Sequence, residues 1–159
     1  MTQQGMSFEV TGLRELEREL AQMQPKLARR ALGRAVSAGA ALLRDKARQN
    51  ARAQGLYRTG LLVRSISHRR VRVGNWRTTN VRRIYHSNRP YKAAGKQPYG
   101  MWYERGFVDR DSGMRTHRPH IRPAFDENQV EAANAIKERM ATAIKQLWPH
   151  DPRAVRMYR

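Results

Sequence analysis

An α+β fold is predicted by three features of the chain: apolar residues at helical spacing through the first third, an alternating run in the middle that ends in Gly74-Asn75, and another helical stripe near the C-terminus. Side chains return to one face every 3.6 residues on a helix and every two on a strand, which separates the element types. The expected architecture is two N-terminal helices, one of them long, an antiparallel sheet with protruding basic loops, and a C-terminal helix. A length of 159 residues fits one domain, here a body over 8–148 and a basic tail over 149–159.

The elements follow in order. Phe8 to Val10 suits a short strand, and Leu13, Leu16, Leu20 and Met23 mark one face of a first helix with Thr11 as its cap. Pro25 restarts the chain. From Pro25 to about Ala53, the residues Ala28, Leu32, Ala35, Gly39, Leu42 and Lys46 recur at alternating steps of four and three, joined by Ala31, Val36, Leu43 and Ala47. That predicts a helix of about 40 Å at 1.5 Å per residue. Its stripe is narrow and rich in small residues, so a neighbouring element can approach closely, and it reads first as an intramolecular core face.

Gln54-Gly55 ends the long helix. Ser67, Arg69, Val71 and Val73 then alternate with Ile66, His68, Arg70 and Arg72, and Val81, Arg83 and Tyr85 offer a return strand, which together predict a hairpin. Ser87 to Pro98, holding Pro90, Gly95 and Pro98 among basic residues, reads as an exposed loop. Tyr99 to Phe107 suits a strand or a short helix, and Val108 to Thr116 a polar loop. Val130, Ala133, Ile136, Met140, Ala143, Ile144 and Leu147 define a last helix starting near Pro123 and stopped by Pro149.

Charge is the loudest compositional signal, with 32 Lys and Arg against 13 Asp and Glu, a net +19. Residues 51–122 hold seventeen of the basic groups and three acids, so the excess lies in the middle. Arginine dominates there, and its planar fork pairs with carboxylate or phosphate alike. Arg69, Arg70, Arg72, Arg82, Arg83, Arg89, Lys92 and Lys96 are the candidate contacts to a protein partner or to DNA; the alternative is a solvated basic face. A field this strong repels itself and calls for counter-charge.

Other classes find little in the sequence. The absence of cysteine excludes a disulfide framework and thiolate metal sites, and no run of about 18 apolar residues or signal peptide is evident, so a soluble intracellular protein without a membrane span is expected. Ser65 lacks a Gly-x-Ser-x-Gly elbow and is expected to cap or pair locally, and Gly55 and Gly60 flank Arg58-Thr59 without the lysine and spacing of a phosphate loop. His117, His120 and Glu104 hold the residue types of a metal site, but Pro119 prevents helical spacing and arginines repel a cation. No enzyme activity, cofactor or metal is therefore expected. Nucleic-acid binding is the serious competitor: Trp76, Tyr85, Tyr91, Tyr99, Trp102 and Tyr103 interleave with arginines as on a stacking and phosphate-binding surface, though aromatics at strand positions also fill cores. No helix-turn-helix, zinc-finger or ribonucleoprotein signature accompanies them.

The most distinctive stretch is Tyr103-Glu104-Arg105-Gly106 followed by Arg118-Pro119-His120-Ile121-Arg122-Pro123-Ala124-Phe125. Each proline fixes φ and drives the residue before it out of the α region, so this segment should run extended until Pro123, a good first residue for a helix. Glu104, Gly106, Arg118, Pro119, Arg122 and Pro123 are thus the candidate residues of a structural clamp, with Glu104 expected to pair with Arg118 or Arg122.

Those motifs, with Phe8-Glu9-Val10-Thr11-Gly12-Leu13-Arg14-Glu15-Leu16 and Arg58-Thr59-Gly60-Leu61-Leu62-Val63-Arg64-Ser65-Ile66, fall in the order seen in a family of small neck or tail-component proteins of long-tailed double-stranded DNA phages. The chain resembles that family from about Phe8 to Leu147, with Phe107 where the family carries threonine and His120 where it carries phenylalanine. The resemblance implies a non-enzymatic virion protein that forms a homo-oligomeric ring, six copies favoured over twelve, in the neck. It implies contacts with head-closure, tail-terminator or tail-tube proteins, transient non-specific contact with passing DNA, and a place in the host cytoplasm during assembly. A standalone basic nucleic-acid-binding protein is the alternative.

Overall fold

The structure, a computed structural model, describes residues 13–72 and 80–147. It is an α+β chain, as the periodicities predict, with eleven elements among those residues: α1 (Leu13–Gln22), α2 (Pro25–Ala53), α3 (Leu61–Ser65), β1 (Ile66–Val71), β2 (Val81–His86), α4 (Arg89–Ala93), α5 (Gly100–Arg105), β3 (Phe107–Val108), β4 (Arg115–Thr116), α6 (Ile121–Glu127) and α7 (Gln129–Leu147). The expected strand at Phe8–Val10, the Thr11 cap, the Gly74-Asn75 turn, Trp76 and the basic tail lie outside the described residues.

The described residues divide into two compact units, residues 13–39 with 130–147, and residues 40–72 with 80–129. In the first unit, α1, the first part of α2 and α7 bury Leu16, Met23, Ala31, Ala35, Met140, Ala143 and Ile144. Burying a leucine such as Leu16 contributes about 2 kcal/mol. The small-residue stripe of α2 is this core face, and its tightest point is Gly39. A Cβ there would lie 2.6 Å from Ile136 Cγ1 and 3.1 Å from the Ala132 carbonyl oxygen.

In the second unit, the rest of α2 and α6 bury Ala47, Ala51 and Ala124 against Leu56, Leu62, Val63 and Ile66. β1 and β2 pair antiparallel from Ile66 opposite His86 to Val71 opposite Val81. Alternation along this register gives the hairpin two unlike faces. Ile66 and His86 are buried on one, while Arg69 and Arg83 are exposed on the other. Arg48 of α2 donates from Nε and Nη2 to the Ile66 carbonyl at 3.2 and 2.8 Å, fixing where β1 begins.

Several segments depart from expectation. Ser87 to Pro98 contains α4, whose Tyr91 is fully buried; Pro90 falls in its first turn, where a missing N–H breaks no helical bond. Of the strand or short helix expected over Tyr99 to Phe107, the helix forms, as α5, and the polar loop after it is pinched by a short ladder of Phe107 with Thr116 and Val108 with Arg115. The final helix is two: α6 starts at Ile121, ahead of Pro123, and stops at Asn128, whose Nδ2 donates to the Ala124 carbonyl at 2.9 Å.

Replacing a helical glycine with alanine ordinarily adds about 1 kcal/mol of helix stability. At Gly39 the methyl group meets Ile136 and backbone, so G39A is expected to destabilise by about 1–2 kcal/mol in urea unfolding. A stabilised variant would mean that α7 does not pack so closely there.

Candidate functional site

The second unit gathers its polar chemistry around the carboxylate of Glu104, on the last turn of α5. A helix start leaves its first N–H groups without internal partners. Here Glu104 Oε2 accepts from the backbone N–H of His120 at 2.9 Å and of Ile121 at 3.0 Å, and Oε1 from that of Arg122 at 2.9 Å. The next residue, Pro123, has no N–H to satisfy. One carboxylate and one proline therefore account for the whole N-terminus of α6, and the positive end of the helix dipole favours the negative charge.

This corrects the expected ion pair. Glu104 reaches the main chain of Arg122 and not its guanidinium, which is 85% exposed and lies 3.7 Å from Asp126. Arg118 instead donates from Nη1 to the Gln54 carbonyl at 3.0 Å. Its own backbone N–H reaches the Tyr103 carbonyl at 2.9 Å, while Gln54 Nε2 donates to the Pro119 carbonyl at 2.6 Å. The extended Arg118-Pro119 segment is thereby held between α5 and the end of α2. Gly106 turns the chain from α5 towards β3 with φ 85° and ψ 147°, a combination that side-chain-bearing residues avoid. All six clamp candidates thus belong to one construction.

Behind the clamp runs a buried polar row. His120 Nδ1 lies 3.3 Å from Glu104 Oε2 and 3.0 Å from the Arg118 carbonyl. His120 Nε2 meets His86 Nε2 at 3.0 Å, one ring donating and the other accepting, with the rings edge to face at 72°. His86 Nδ1 lies 2.8 Å from Ser65 Oγ, whose hydroxyl donates to the Leu62 carbonyl at 2.6 Å. Ser65 and His120 are fully buried and His86 is 8% exposed. Gly100 makes room for this row, since a Cβ there would stand within 2.6 Å of His86 ring carbons.

Serine, histidine and an acid in sequence have the residue types of a nucleophilic relay, but Ser65 and His120 are fully buried and His86 nearly so, which leaves a substrate no access to the serine hydroxyl. The row is a packed hydrogen-bonded partition. Ser65 pairs locally, as the sequence suggests. His86 goes unflagged at the sequence level because an isolated histidine at a strand end carries no spacing signal. His117 Nε2 meets the backbone carbonyl of Glu104 at 3.1 Å and not its carboxylate. Among the described residues, no group of three His, Cys, Asp or Glu side chains is placed to hold a metal ion.

The electrostatics follow from burial. Partial burial works to raise the Glu104 pKa, but the three backbone N–H groups and His120 outweigh it and hold the carboxyl below its usual range. Burial first, then His120, pushes His86 down to about 4, with Glu104 opposing.

The basic candidates form two sets. On the hairpin, Arg69 stands opposite Arg83 and Arg70 opposite Arg82, with Arg72 just beyond β1. Like charges facing each other across strands destabilise a ladder, and the Arg69 guanidinium 4.9 Å from the Tyr85 ring centroid offsets part of that cost. Arg89 and Lys92 are exposed on α4, and Lys96 is exposed beyond it. Tyr91 is a core residue rather than a stacking surface, whereas Trp102 is 58% exposed. Comparison of the chain with family models, with curated proteins and with solved structures gives no match.

Two outcomes are expected. E104A should lose about 2–4 kcal/mol in urea unfolding by orphaning three amides, while R122A changes stability by less than about 0.5 kcal/mol; equal losses would restore the side-chain ion pair. Because His86 is held neutral, the unfolded chain binds a proton that the folded chain refuses as pH falls below about 6.5. This contribution to stability is complete above that pH. It should fall by up to about 1.4 kcal/mol per unit towards pH 4, about 3 kcal/mol in all, with the lowered Glu104 adding the same sign at still lower pH. Unfolding titrations of the wild type and H86Q between pH 7.5 and 4.5 check this; identical slopes would contradict it.

Proposed function

We propose that the chain is a structural subunit of the neck or tail of a long-tailed double-stranded DNA phage. It closes into a ring with copies of itself, six favoured over twelve, against head-closure, tail-terminator or tail-tube proteins, and gives passing DNA transient, non-specific contact. The observation that carries this reading is the union of the two motifs behind the family resemblance: Glu104, from Tyr103-Glu104-Arg105-Gly106, takes the free amides of His120, Ile121 and Arg122. The third motif fits alongside. Gly60, with φ 67°, starts α3, which carries the buried Leu61, Leu62, Val63 and Ser65. The pattern thus reads as a scaffold for the unit, and its chemistry is that of helix capping.

A structural role is supported further by the complete burial of Ser65, which keeps its hydroxyl from any substrate. Among the described residues no helix is long and apolar enough to cross a membrane. Opposed arginines on the hairpin favour a partner that brings negative charge. That same observation supports the alternative, a standalone nucleic-acid-binding protein.

Copy number and salt dependence separate the readings. Mass measurement of purified particles should find the chain in a cyclic set, as heterologous contacts closing on themselves require; one or two copies per particle would contradict the ring. Reversing Arg89, Lys92 and Lys96 to Glu should block the joining of heads and tails with the subunit still folded. Free duplex DNA should bind weakly, without sequence preference, and with affinity falling steeply with salt. Sequence-selective binding by the isolated chain, about 10³-fold or more above non-specific binding at physiological salt, would favour the alternative.

A further inference from the structure

The second unit carries a groove of about 620 Å³ to whose lining the clamp contributes Arg118 and the arginine hairpin nothing. Leu56, Leu62, Tyr99, Trp102, Tyr103 and Phe107 line its apolar side. Arg58, Lys96 and Arg118 contribute positive charge to it against the single acid Asp109. Asp109 is committed elsewhere: its Oδ1 accepts from the backbone N–H of Asp111 at 3.0 Å and of Ser112 at 2.9 Å, and from the Ser112 hydroxyl at 3.0 Å. Those neutral donors keep Asp109 ionised, and three cations against one carboxylate still give the lining a net positive charge.

Its aromatic side is built edge to face. Tyr99 meets Tyr103 with ring centroids 6.0 Å apart at 75°, and Tyr103 meets Phe107 at 5.3 Å and 87°. Each such contact covers part of a ring face with its neighbour's edge. That suits a pocket for one apolar side chain better than a row of open faces on which successive bases stack. Trp102, 58% exposed, is the large ring left open to a newcomer. Exposed apolar side chains gather on the same stretch of chain: Met101, Trp102, Val108 and Met114 are four of the seven large exposed hydrophobics among the described residues. Of these four, Trp102 is the one that lines the groove.

We propose that this groove docks an acidic peptide segment of a partner protein, one apolar or aromatic side chain seated against Trp102 and flanking carboxylates on Arg58, Lys96 and Arg118. Apolar anchor and negative flanks are both required, because the lining offers a ring wall and a net positive charge together. This does not depend on the neck assignment; any partner presenting such a segment satisfies it.

The test uses the full chain and three dye-labelled probes followed by fluorescence anisotropy at 0.15 M salt. The first is a blocked heptapeptide with a central phenylalanine flanked by aspartates and glutamates. In the second serine replaces the phenylalanine, and the third is a single-stranded oligothymidylate. Saturable binding of the first probe is expected, at least tenfold tighter than the second, and weakened at least tenfold by W102A and by R58E/K96E with unchanged circular dichroism. All these positions are exposed, and K96E alone, beyond α4, serves as a second variant should W102A disturb the fold. Equal binding of the phenylalanine and serine peptides would reduce the effect to net charge and overturn the proposal. Indifference to both W102A and K96E would also overturn it, as would oligothymidylate binding tighter than the peptide through the same residues, which would assign the groove to nucleic acid.

Discussion

The second unit rests on a carboxylate in a helix-capping position supplied from a distant point in the chain. Glu104 reaches across a loop to take the amides of His120, Ile121 and Arg122, and Pro123 removes the next donor. Most helices cap themselves with a residue at their own start. Here the cap comes from another helix, so the start of α6 and the end of α5 fix each other. The reciprocal contact from the Arg118 N–H to the Tyr103 carbonyl runs the other way between the same segments. Rigidity of this loop thus follows from directional bonds rather than from a large apolar core.

The histidine row depends on that geometry. Because His120 is the residue just before α6, capping the helix also sets where its ring enters the interior. The ring then meets His86 at the end of β2, and His86 meets Ser65 at the end of α3, so three elements are tied in sequence by side chains with little access to water. Buried polar groups are costly unless each is bonded, and a bonded row specifies one arrangement of its carriers. Gly100 belongs to the same logic, since a side chain there would displace the His86 ring.

Much of the fold was legible in the chain. The long helix runs from Pro25 to Ala53 as its spacing predicts, because small residues at steps of three and four have no other economical use. The hairpin was legible from alternation alone. The short helix α4 was not, since five residues are too few to display a period and Pro90 reads as a loop signal until its place in a first turn is known, and α5 was legible only as a strand or a short helix. The clamp residues were identified but not their bonding: Glu104 among arginines suggests ion pairs, and a sequence does not show that backbone amides are nearer. His86 was invisible because its partners, Ser65 and His120, lie 21 and 34 residues away. The break at Asn128 was missed because its cause is a side chain turned back on the Ala124 carbonyl.

Taken together, the unit is a capped and partitioned scaffold that carries positive charge outward on a hairpin and short helices. The central claim is that the Glu104 carboxylate holds the start of α6, and amide hydrogen exchange at His120, Ile121 and Arg122 tests it most directly. All three should exchange slowly, at rates near those of amides within α5, and should become fast together in E104A. Fast exchange at these positions in the wild-type chain would contradict the account.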